Sequence, residues 1–355
     1  MANRYRVESG GNWDSAVNGW STTSGGVAGA ADPVAADDVF FDGNSGTGTV
    51  SIAANAFCRS FTGTGYTGTL GGASALIVGD ATAGNIVIGS GMTWSHSGNL
   101  SLRSTTGTNT INTNGVSTAC RIVFEVANTG TWQLISALTN THSSGIGLSS
   151  SSTLDTNGNT VTAVSLTTDD FTPTITLGAS TLNFSGTGTV WYAAGATLNA
   201  NTSTINLTAS SGTGSSVNLG GKTYNNMTVS AGGTGIISFS AGNNSNTFNT
   251  LTLAGPKNVR FRASQTQTFT SFVADGTAGN LVTIDSSLAG TAATFSDAAG
   301  TNALTYCSLQ DFAATGGATW TAASSTNVSG NSGITFLVVG GGSTTTSTAM
   351  LVGVG

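Results

Sequence analysis

The two histidines, His96 and His142, are the side chains best suited to proton transfer or metal binding near neutral pH. His96 lies in Trp94-Ser-His-Ser-Gly98 and His142 lies in Asn140-Thr-His-Ser-Ser144, and both sequences are turn-like. Neither histidine has a Cys, Asp or Glu close to it in sequence. Such a neighbour would favour a metal site or a nucleophilic triad. We therefore interpret both as surface or turn histidines, and predict no metal site, cofactor site or catalytic histidine.

Carboxylates are the other candidate groups, because glycan-cleaving solenoids use acidic residues set across a cleft. The chain has two adjacent pairs, Asp37-Asp38 and Asp169-Asp170. Neighbouring side chains in a strand point to opposite faces, so neither pair is an acid/base pair by itself. Asp169-Asp170 precedes Phe-Thr-Pro173 and indicates a turn. We predict that the protein is not an enzyme, with a polysaccharide depolymerase as the alternative.

The three cysteines, Cys58, Cys120 and Cys307, are odd in number and far apart, and each has apolar neighbours. No CxxC spacing or nearby histidine accompanies them, which argues against zinc and against a disulfide framework. We predict buried free thiols that behave as small apolar side chains.

The composition predicts many short strands joined by tight turns. Gly accounts for 51 of 355 residues, Pro for 3, and only 7% of residues are charged, whereas Phe accounts for 15. No window of 12 residues shows a helical apolar pattern. The net charge is −6 and the nearest approach to a basic cluster is Lys257, Arg260 and Arg262, which argues against nucleic-acid binding. No run approaches the ~20 apolar residues of a membrane helix, so we expect no membrane insertion.

A short alternating phrase recurs along the chain, as in Ser180-Thr-Leu-Asn-Phe184 and Ser203-Thr-Ile-Asn-Leu207. The first apolar residues of successive phrases follow at steps of 23, 22, 24 and 21 residues. These residues are Leu182, Ile205, Met227, Leu251 and Phe272. A period in the low twenties with alternation inside it is typical of a repeat array. We predict a single-chain β-solenoid of about a dozen irregular coils in which these residues form a core stack, with β-sandwich domains as the alternative.

The two ends differ from the middle. We predict an N-terminal cap over residues 1–45, because a solenoid end exposes strand edges and an open core. The candidate cap residues are Trp13, Trp20, Asp37, Asp38, Phe40 and Phe41. The solenoid is predicted over 46–336. Residues 337–355 read as a Gly/Ser/Thr linker and an apolar docking tail, with a frayed terminus as the alternative. The tail residues are Met350, Leu351, Val352 and Val354.

Several segments resemble a group of β-solenoid proteins from tailed-phage genomes. Asn3-Arg-Tyr5, Gly11-Asn-Trp-Asp14, Gly19-Trp-Ser21 and the segment 33–42 are similar to the opening of those proteins. Thr305–Asp311 and Ala314–Trp320 resemble their closing coils, so the resemblance covers about residues 3 to 336. It implies a virion structural protein such as a capsid decoration, head fibre or tail fibre, and it implies no catalytic residue.

From these observations we expect a non-enzymatic phage virion protein without a cofactor, assembled in the host cytoplasm and exposed outside the cell after release. The opening residues lack the apolar core of a secretory signal, which agrees with this expectation. Capsid decoration or head fibre is favoured, with host attachment as an added role. Expected partners are other virion proteins, copies of itself in a trimer, and a host glycan. The alternatives are a tail fibre or tailspike that recognises or hydrolyses host polysaccharide, and a bacterial surface adhesin.

Overall fold

The chain folds as an all-β solenoid. The computed structural model describes residues 1–14, 19–125, 129–209, 214–230, 232–233, 235–242 and 245–337. These residues contain 39 strands and no helix. With one exception the strands pair in parallel with those of the preceding and following coils, in sheets of up to 13 strands. About 13 coils at ~4.8 Å each make a rod roughly 60 Å long. The predicted solenoid is confirmed, and the antiparallel sandwich is not observed.

Sheet A covers one side of the first half of the rod. It has ten strands, and all of its pairs are parallel except that between its first two strands in chain order. They are β1 (Asn3–Arg6), β3 (Trp20–Ser21), β4 (Asp38–Phe40), β7 (Ser60–Thr62), β10 (Asn85–Val87), β13 (Thr108–Asn112), β15 (Thr131–Leu134), β18 (Thr153–Asp155), β21 (Thr174–Thr176) and β24 (Thr197–Asn199).

The second and third sides of the rod are built in the same way. Sheets B and D occupy the same place in the order of strands along a coil, B in the early coils and D in the later ones. Sheet B is β2 (Gly11–Asn12), β5 (Thr49–Ile52), β8 (Thr69–Gly72) and β11 (Thr93–Trp94). Sheet D is β16 (Leu138–Thr139), β19 (Val161–Ala163), β22 (Thr181–Phe184), β25 (Thr204–Leu207), β27 (Thr223–Val229), β29 (Asn246–Ala254), β31 (Thr266–Asp275), β33 (Ala293–Asp297), β34 (Thr301–Thr305), β36 (Phe312–Thr315), β37 (Thr319–Ala323) and β39 (Thr335–Leu337).

Sheet C runs along nearly the whole rod, with one strand in each of 13 coils. Its strands are β6 (Ala56–Cys58), β9 (Leu76–Val78), β12 (Leu100–Leu102), β14 (Ile122–Phe124), β17 (Ile146–Leu148), β20 (Leu166–Thr167), β23 (Gly188–Tyr192), β26 (Ser215–Asn218), β28 (Ile236–Phe239), β30 (Lys257–Phe261), β32 (Val282–Ser286), β35 (Cys307–Gln310) and β38 (Thr326–Ser329).

Alternation within each strand creates the core. In β22, Leu182 and Phe184 are fully buried, whereas Thr181 and Asn183 face outward. The inward residues of successive coils lie side by side: Leu182 pairs with Ile205, Ile205 with Met227, Met227 with Leu251, and Leu251 with Phe272. The structure therefore places the five core-stack residues in one register. Each coil alone would leave this apolar face exposed, and stacking covers it.

The corner that follows sheet A depends on left-handed backbone. Asn114 after β13, Asn157 after β18 and Asn201 after β24 have φ values of 48°, 50° and 47°. Asn tolerates this conformation better than other residues that carry a Cβ. The carboxamides of Asn114 and Asn157 also donate to the carbonyls of Ile88 and Leu134 in the preceding coil. Asn114 and Asn157 thus turn the chain and also tie neighbouring coils together.

The shape of the coil changes along the rod. Sheet A ends at β24, and the next three coils carry longer strands in sheet D, of 7, 9 and 10 residues, in β27, β29 and β31. Each long strand interrupts its alternation once, where two successive residues face outward. These pairs are Asn225-Asn226, Asn249-Thr250 and Thr270-Ser271. After β31 its place is taken by two strands, β33 beside its first half and β34 beside its last residue.

The solenoid begins within the segment predicted as a cap. β1 pairs with β4 and β2 pairs with β5, so both already belong to the stacked coils. Trp13, Trp20 and Phe41 are buried together, with ring centroids of Trp13 and Trp20 5.1 Å apart. Phe40 points to the outer face instead and stacks on Tyr5 at 4.7 Å. The buried aromatic residues of this segment therefore cover the core at the first coil, beside β1 and β4.

The acidic residues of the same segment hold it by ion pairs. Asp37 is buried, accepts a hydrogen bond from the backbone N–H of Ala2 at 2.8 Å and pairs with Arg4 at 3.2 Å. Asp38 pairs with Arg59 of the next coil, with an Nε–Oδ1 distance of 3.0 Å. These contacts attach the first residues of the chain to the coil that follows.

Candidate functional site

A groove of about 490 Å³ lies where sheet A ends and the coils change shape. One wall is the end of β24 and the residues after it, and the other is formed by the first halves of β27 and β29 and by Thr270 of β31. The buried rings of Tyr224 and Phe248 form its floor and stack at 5.7 Å. The groove therefore arises from the step in the solenoid and not from an inserted loop.

The exposed or half-buried polar residues that line the groove are all Asn or Thr: Asn199, Asn201, Thr223, Asn225, Thr247, Asn249 and Thr270. The remaining lining residues are Leu198, Ala200 and the two floor aromatics. The groove lining thus carries no charged side chain among the described residues. It offers hydroxyl and carboxamide groups, which both donate and accept hydrogen bonds.

The carboxamides of the groove are held by contacts within the protein. Asn199 Nδ2 donates to Thr176 Oγ1 at 3.1 Å, Asn225 Nδ2 to the Ser203 carbonyl at 3.1 Å, and Asn249 Nδ2 to Asn226 Oδ1 at 3.2 Å. The Oδ1 atoms of Asn199, Asn225 and Asn249 have no protein partner within the described part of the chain. Each is therefore an acceptor with a fixed orientation.

The rings beneath the groove make its floor rigid. The buried hydroxyl of Tyr224 accepts from Trp191 Nε1 at 3.0 Å and donates to the Leu219 carbonyl at 2.9 Å. Burial raises the pKa of Tyr224, so the phenol stays protonated. Phe248 continues the stack to Phe269 at 5.6 Å. Only aromatic rings already packed in the core lie under the groove.

A second hollow, of about 300 Å³, collects the carboxylates of Asp169 and Asp170 beside Tyr192. Asp169 accepts hydrogen bonds from Arg121 at 3.2 Å and Ser149 at 2.8 Å, and Asp170 accepts one from the Tyr192 hydroxyl at 2.9 Å. The hydrogen bond to Asp170 and, to a lesser extent, burial raise the pKa of Tyr192.

The structure confirms the turn predicted at Asp169-Asp170, and the two side chains do not diverge as they would in a strand. They occupy a turn, with left-handed φ values of 40° and 63°, and the strand rule for adjacent side chains does not apply to a turn. Both side chains therefore reach the same hollow.

The basic residues Lys257, Arg260 and Arg262 do not form a basic cluster and each makes its own contacts. Arg260 pairs with Asp285, and Arg262 Nη1 donates to the Ser240 carbonyl at 3.0 Å. Lys257 is buried, and its ammonium donates to the carbonyls of Ala209 and Gly232. Burial lowers the pKa of Lys257. The three cations nearest one another in sequence therefore serve three separate contacts.

The histidines occupy different environments. His96 is fully buried, so its interpretation as a surface residue is wrong. Its Nε2 lies 2.8 Å from the Ser74 carbonyl, and its ring packs at 5.9 Å against Trp94. Burial lowers the pKa of His96, with the hydrogen bond to Ser74 acting in the opposite direction. His142 lies in a turn and its Nδ1 accepts from the Ser144 N–H at 3.1 Å.

The three cysteines are buried free thiols, as predicted. Burial raises the pKa of Cys120 to about 11 and that of Cys307 to about 12. Within the described residues, no group of three or more His, Cys, Asp or Glu side chains is arranged to hold a metal ion. The described part of the chain also contains no helix long and apolar enough to span a membrane.

The predicted docking-tail residues Met350, Leu351, Val352 and Val354 lie outside the described residues. The described coils end at β39, where Leu337 is 45% exposed, and Val328 of the neighbouring strand β38 is 50% exposed. This end of the rod therefore presents apolar side chains beside its last strands.

The fold defines the class of this protein, a parallel β-solenoid with short coils. Comparison of the chain with protein-family models, with curated proteins and with solved structures found no match. The candidate functions therefore follow from the geometry and from the resemblance described above.

Proposed function

We propose that this protein is a non-enzymatic structural rod on the surface of a tailed-phage particle, acting as a capsid decoration or head fibre that aids host attachment. The observation that carries the proposal is one continuous buried cluster that extends from Trp13 to Ala322. Such a core makes a stiff spacer, whose stability is spread over many similar coils. The phage assignment itself rests on the sequence resemblance.

The outer surface supports a passive role. Five partly exposed arginines form ion pairs within the chain: Arg4, Arg59, Arg103, Arg121 and Arg260. Sheet D presents a column of neutral polar side chains, in which Thr162, Asn183 and Asn206 are successive rungs. The Asn206 carboxamide donates to Asn183 Oδ1 at 2.8 Å. Such ladders stabilise the array and require no ligand.

The location on the particle is tested by mass spectrometry and immunogold labelling of purified particles from a host that carries the gene. We expect peptides of this chain in washed particles and gold on the heads. Label confined to tails would replace the head assignment with a tail-fibre role. Absence from particles, together with label on the bacterial surface, would contradict the proposal. Light scattering of the purified protein tests the expected homotrimer.

A second candidate, a tailspike-type depolymerase, is favoured by the hollow that holds Asp169, Asp170 and Tyr192. Glycoside hydrolysis uses two carboxylates, and here they lie beside the half-buried ring of Tyr192. Incubation with capsular or O-antigen polysaccharide tests it through release of reducing ends. Release that disappears in the Asp169→Asn/Asp170→Asn variant would support hydrolysis at this hollow. An absence of release from the host's own polysaccharide would remove this candidate.

A further inference from the structure

We propose that the groove at the end of sheet A binds a neutral oligosaccharide that lies along the rod axis. The inference goes beyond the structural role, because a spacer needs no ligand. It also does not depend on where the protein lies on a particle. Its site is the Asn- and Thr-lined groove between β24 and the long strands β27, β29 and β31.

The charge of the lining limits the class of ligand. Proteins usually hold phosphate and carboxylate groups with cationic side chains, metal ions or converging backbone N–H groups, and ammonium groups with carboxylates. The residues that line the groove supply only hydroxyls, carboxamides and backbone groups. A ligand matched to them is uncharged and rich in hydroxyl groups, since a hydroxyl can both donate and accept.

The depth and surface of the groove argue against an apolar ligand or a peptide strand. Tyr224 and Phe248 are 1% and 0% exposed, so their rings cannot serve as an apolar anchor. β29 is paired on both sides, and the strand edges left unpaired beside the groove are only three residues long, Thr197–Asn199 of β24 and Thr223–Asn225 of β27, so a peptide added as a further strand would form few backbone hydrogen bonds. The wall instead presents the Oδ1 atoms of Asn199, Asn225 and Asn249 as acceptors, each held by the contact of its own Nδ2.

The repeat of the solenoid favours a chain of similar units over a single small molecule. In the groove lining, Thr223 pairs with Thr247 and Tyr224 with Phe248, so equivalent groups recur in successive coils. Successive coils are ~4.8 Å apart. An oligosaccharide running parallel to the axis meets a similar set of groups at each step, and several modest hydrogen bonds then add together.

The test uses the full-length chain on an array of neutral gluco-, galacto- and manno-oligosaccharides beside their carboxylated and sulphated counterparts. We expect binding to neutral members of the array. The Asn225→Ala/Asn249→Ala variant should lose at least tenfold in affinity, measured by calorimetry with the best neutral ligand. The matched control is Thr228→Ala/Thr252→Ala, which changes outward residues of the same two strands away from the groove and should bind normally.

Three results would overturn the proposal: no neutral ligand on the array, binding of acidic glycans alone, or equal binding by the groove variant and the control. Circular dichroism and thermal melting establish that both variants are folded. Thr247→Phe, which places a ring in the groove while leaving the carboxamides intact, should also abolish binding. These outcomes are distinct from those of particle localisation, so each proposal can fail while the other stands.

Discussion

Leu251 of β29 lies directly beside Met227 of β27 in the core, although 24 residues separate them in the chain. Both side chains are 0% exposed. Leu251 also pairs with Phe272 on its other side, so it is the central rung of a stack that crosses several coils. The stability of the rod depends on such contacts between coils, because no coil contains enough apolar surface to fold alone.

Leu251→Ala should therefore lower the free energy of unfolding by about 2–5 kcal/mol, as for other buried leucines whose removal leaves a cavity. The measurement is the urea midpoint followed by circular dichroism. Thr252→Ala, one residue further on and facing outward, is the matched control and should stay within about 0.5 kcal/mol of the parent. Equal effects of the two variants would show that Leu251 does not pack in the core.

Arg6 should be indispensable to the first coil. It is fully buried, lies 5.5 Å from the Trp20 ring, and donates to the carbonyls of Gly10 and Asn12. Burial lowers the pKa of Arg6. Arg6→Met leaves both carbonyls without their donor, and for the buried carbonyl of Gly10 the cost is about 1–3 kcal/mol. We expect a clear fall in the melting temperature.

Arg6→Lys should recover little of this loss, since an ammonium cannot reproduce the fork of a guanidinium. The control is Arg103→Met, which breaks a pair whose side chains are 40% and 29% exposed. That change should cost less than about 1 kcal/mol. Similar melting temperatures for Arg6→Met and Arg103→Met would contradict the role given to Arg6.

Substitutions at Gly300 and Gly316 should distinguish the stability lost through backbone strain from the stability lost through steric overlap. Gly300 and Gly316 have φ values of 93° and 91°, and a Cβ at Gly300 would meet no atom within 4 Å, whereas one at Gly316 would overlap the Asp297 carbonyl oxygen. Gly300→Ala should cost about 1 kcal/mol from backbone strain alone. Gly316→Ala should cost on the order of 3 kcal/mol, because the neighbouring coil must also move. Urea midpoints that fail to differ would contradict this reasoning.

His96 should make stability depend on pH below its ordinary pKa of 6.5. Its pKa is lowered from 6.5 by burial, so the unfolded chain binds a proton more readily than the folded chain. The contribution of His96 is complete above pH 6.5 and is lost as the pH falls below that value. His96→Gln should flatten the dependence of the melting temperature on pH in this range. An unaltered slope in His96→Gln would show that another group is responsible.

The cysteines should be inert in the folded protein. With the pKa of Cys120 at about 11 and that of Cys307 at about 12, few thiolates form at pH 8. We expect no reaction with a thiol-specific chromogenic disulfide until denaturant is added, and then three equivalents. Thr252→Cys, on the outer face, should add one thiol that reacts in the native state. Rapid native reaction of the parent would contradict the burial of all three residues.

The class of fold could be predicted from the sequence, because alternation and a period in the low twenties are local properties of the chain. The spacing from Leu182 to Phe272 predicted which residues lie in one core stack, and the structure pairs each with the next. The buried character of the cysteines followed from their apolar neighbours in the same way. In each case the nearest residues in sequence decide which way a side chain faces.

The environments of individual polar residues could not be predicted in this way. His96 and Lys257 have polar or turn-like neighbours in sequence, yet both are buried against carbonyls of other coils. Asp169 and Asp170 share a hollow with Tyr192 because their turn has left-handed backbone. The groove exists because sheet A stops where the strands of sheet D become longer. Residues as far apart in sequence as Asn199 and Thr270 therefore line the same groove. Such contacts depend on which residues of neighbouring coils lie side by side. The loops between strands differ in length, so this register is decided by packing in three dimensions.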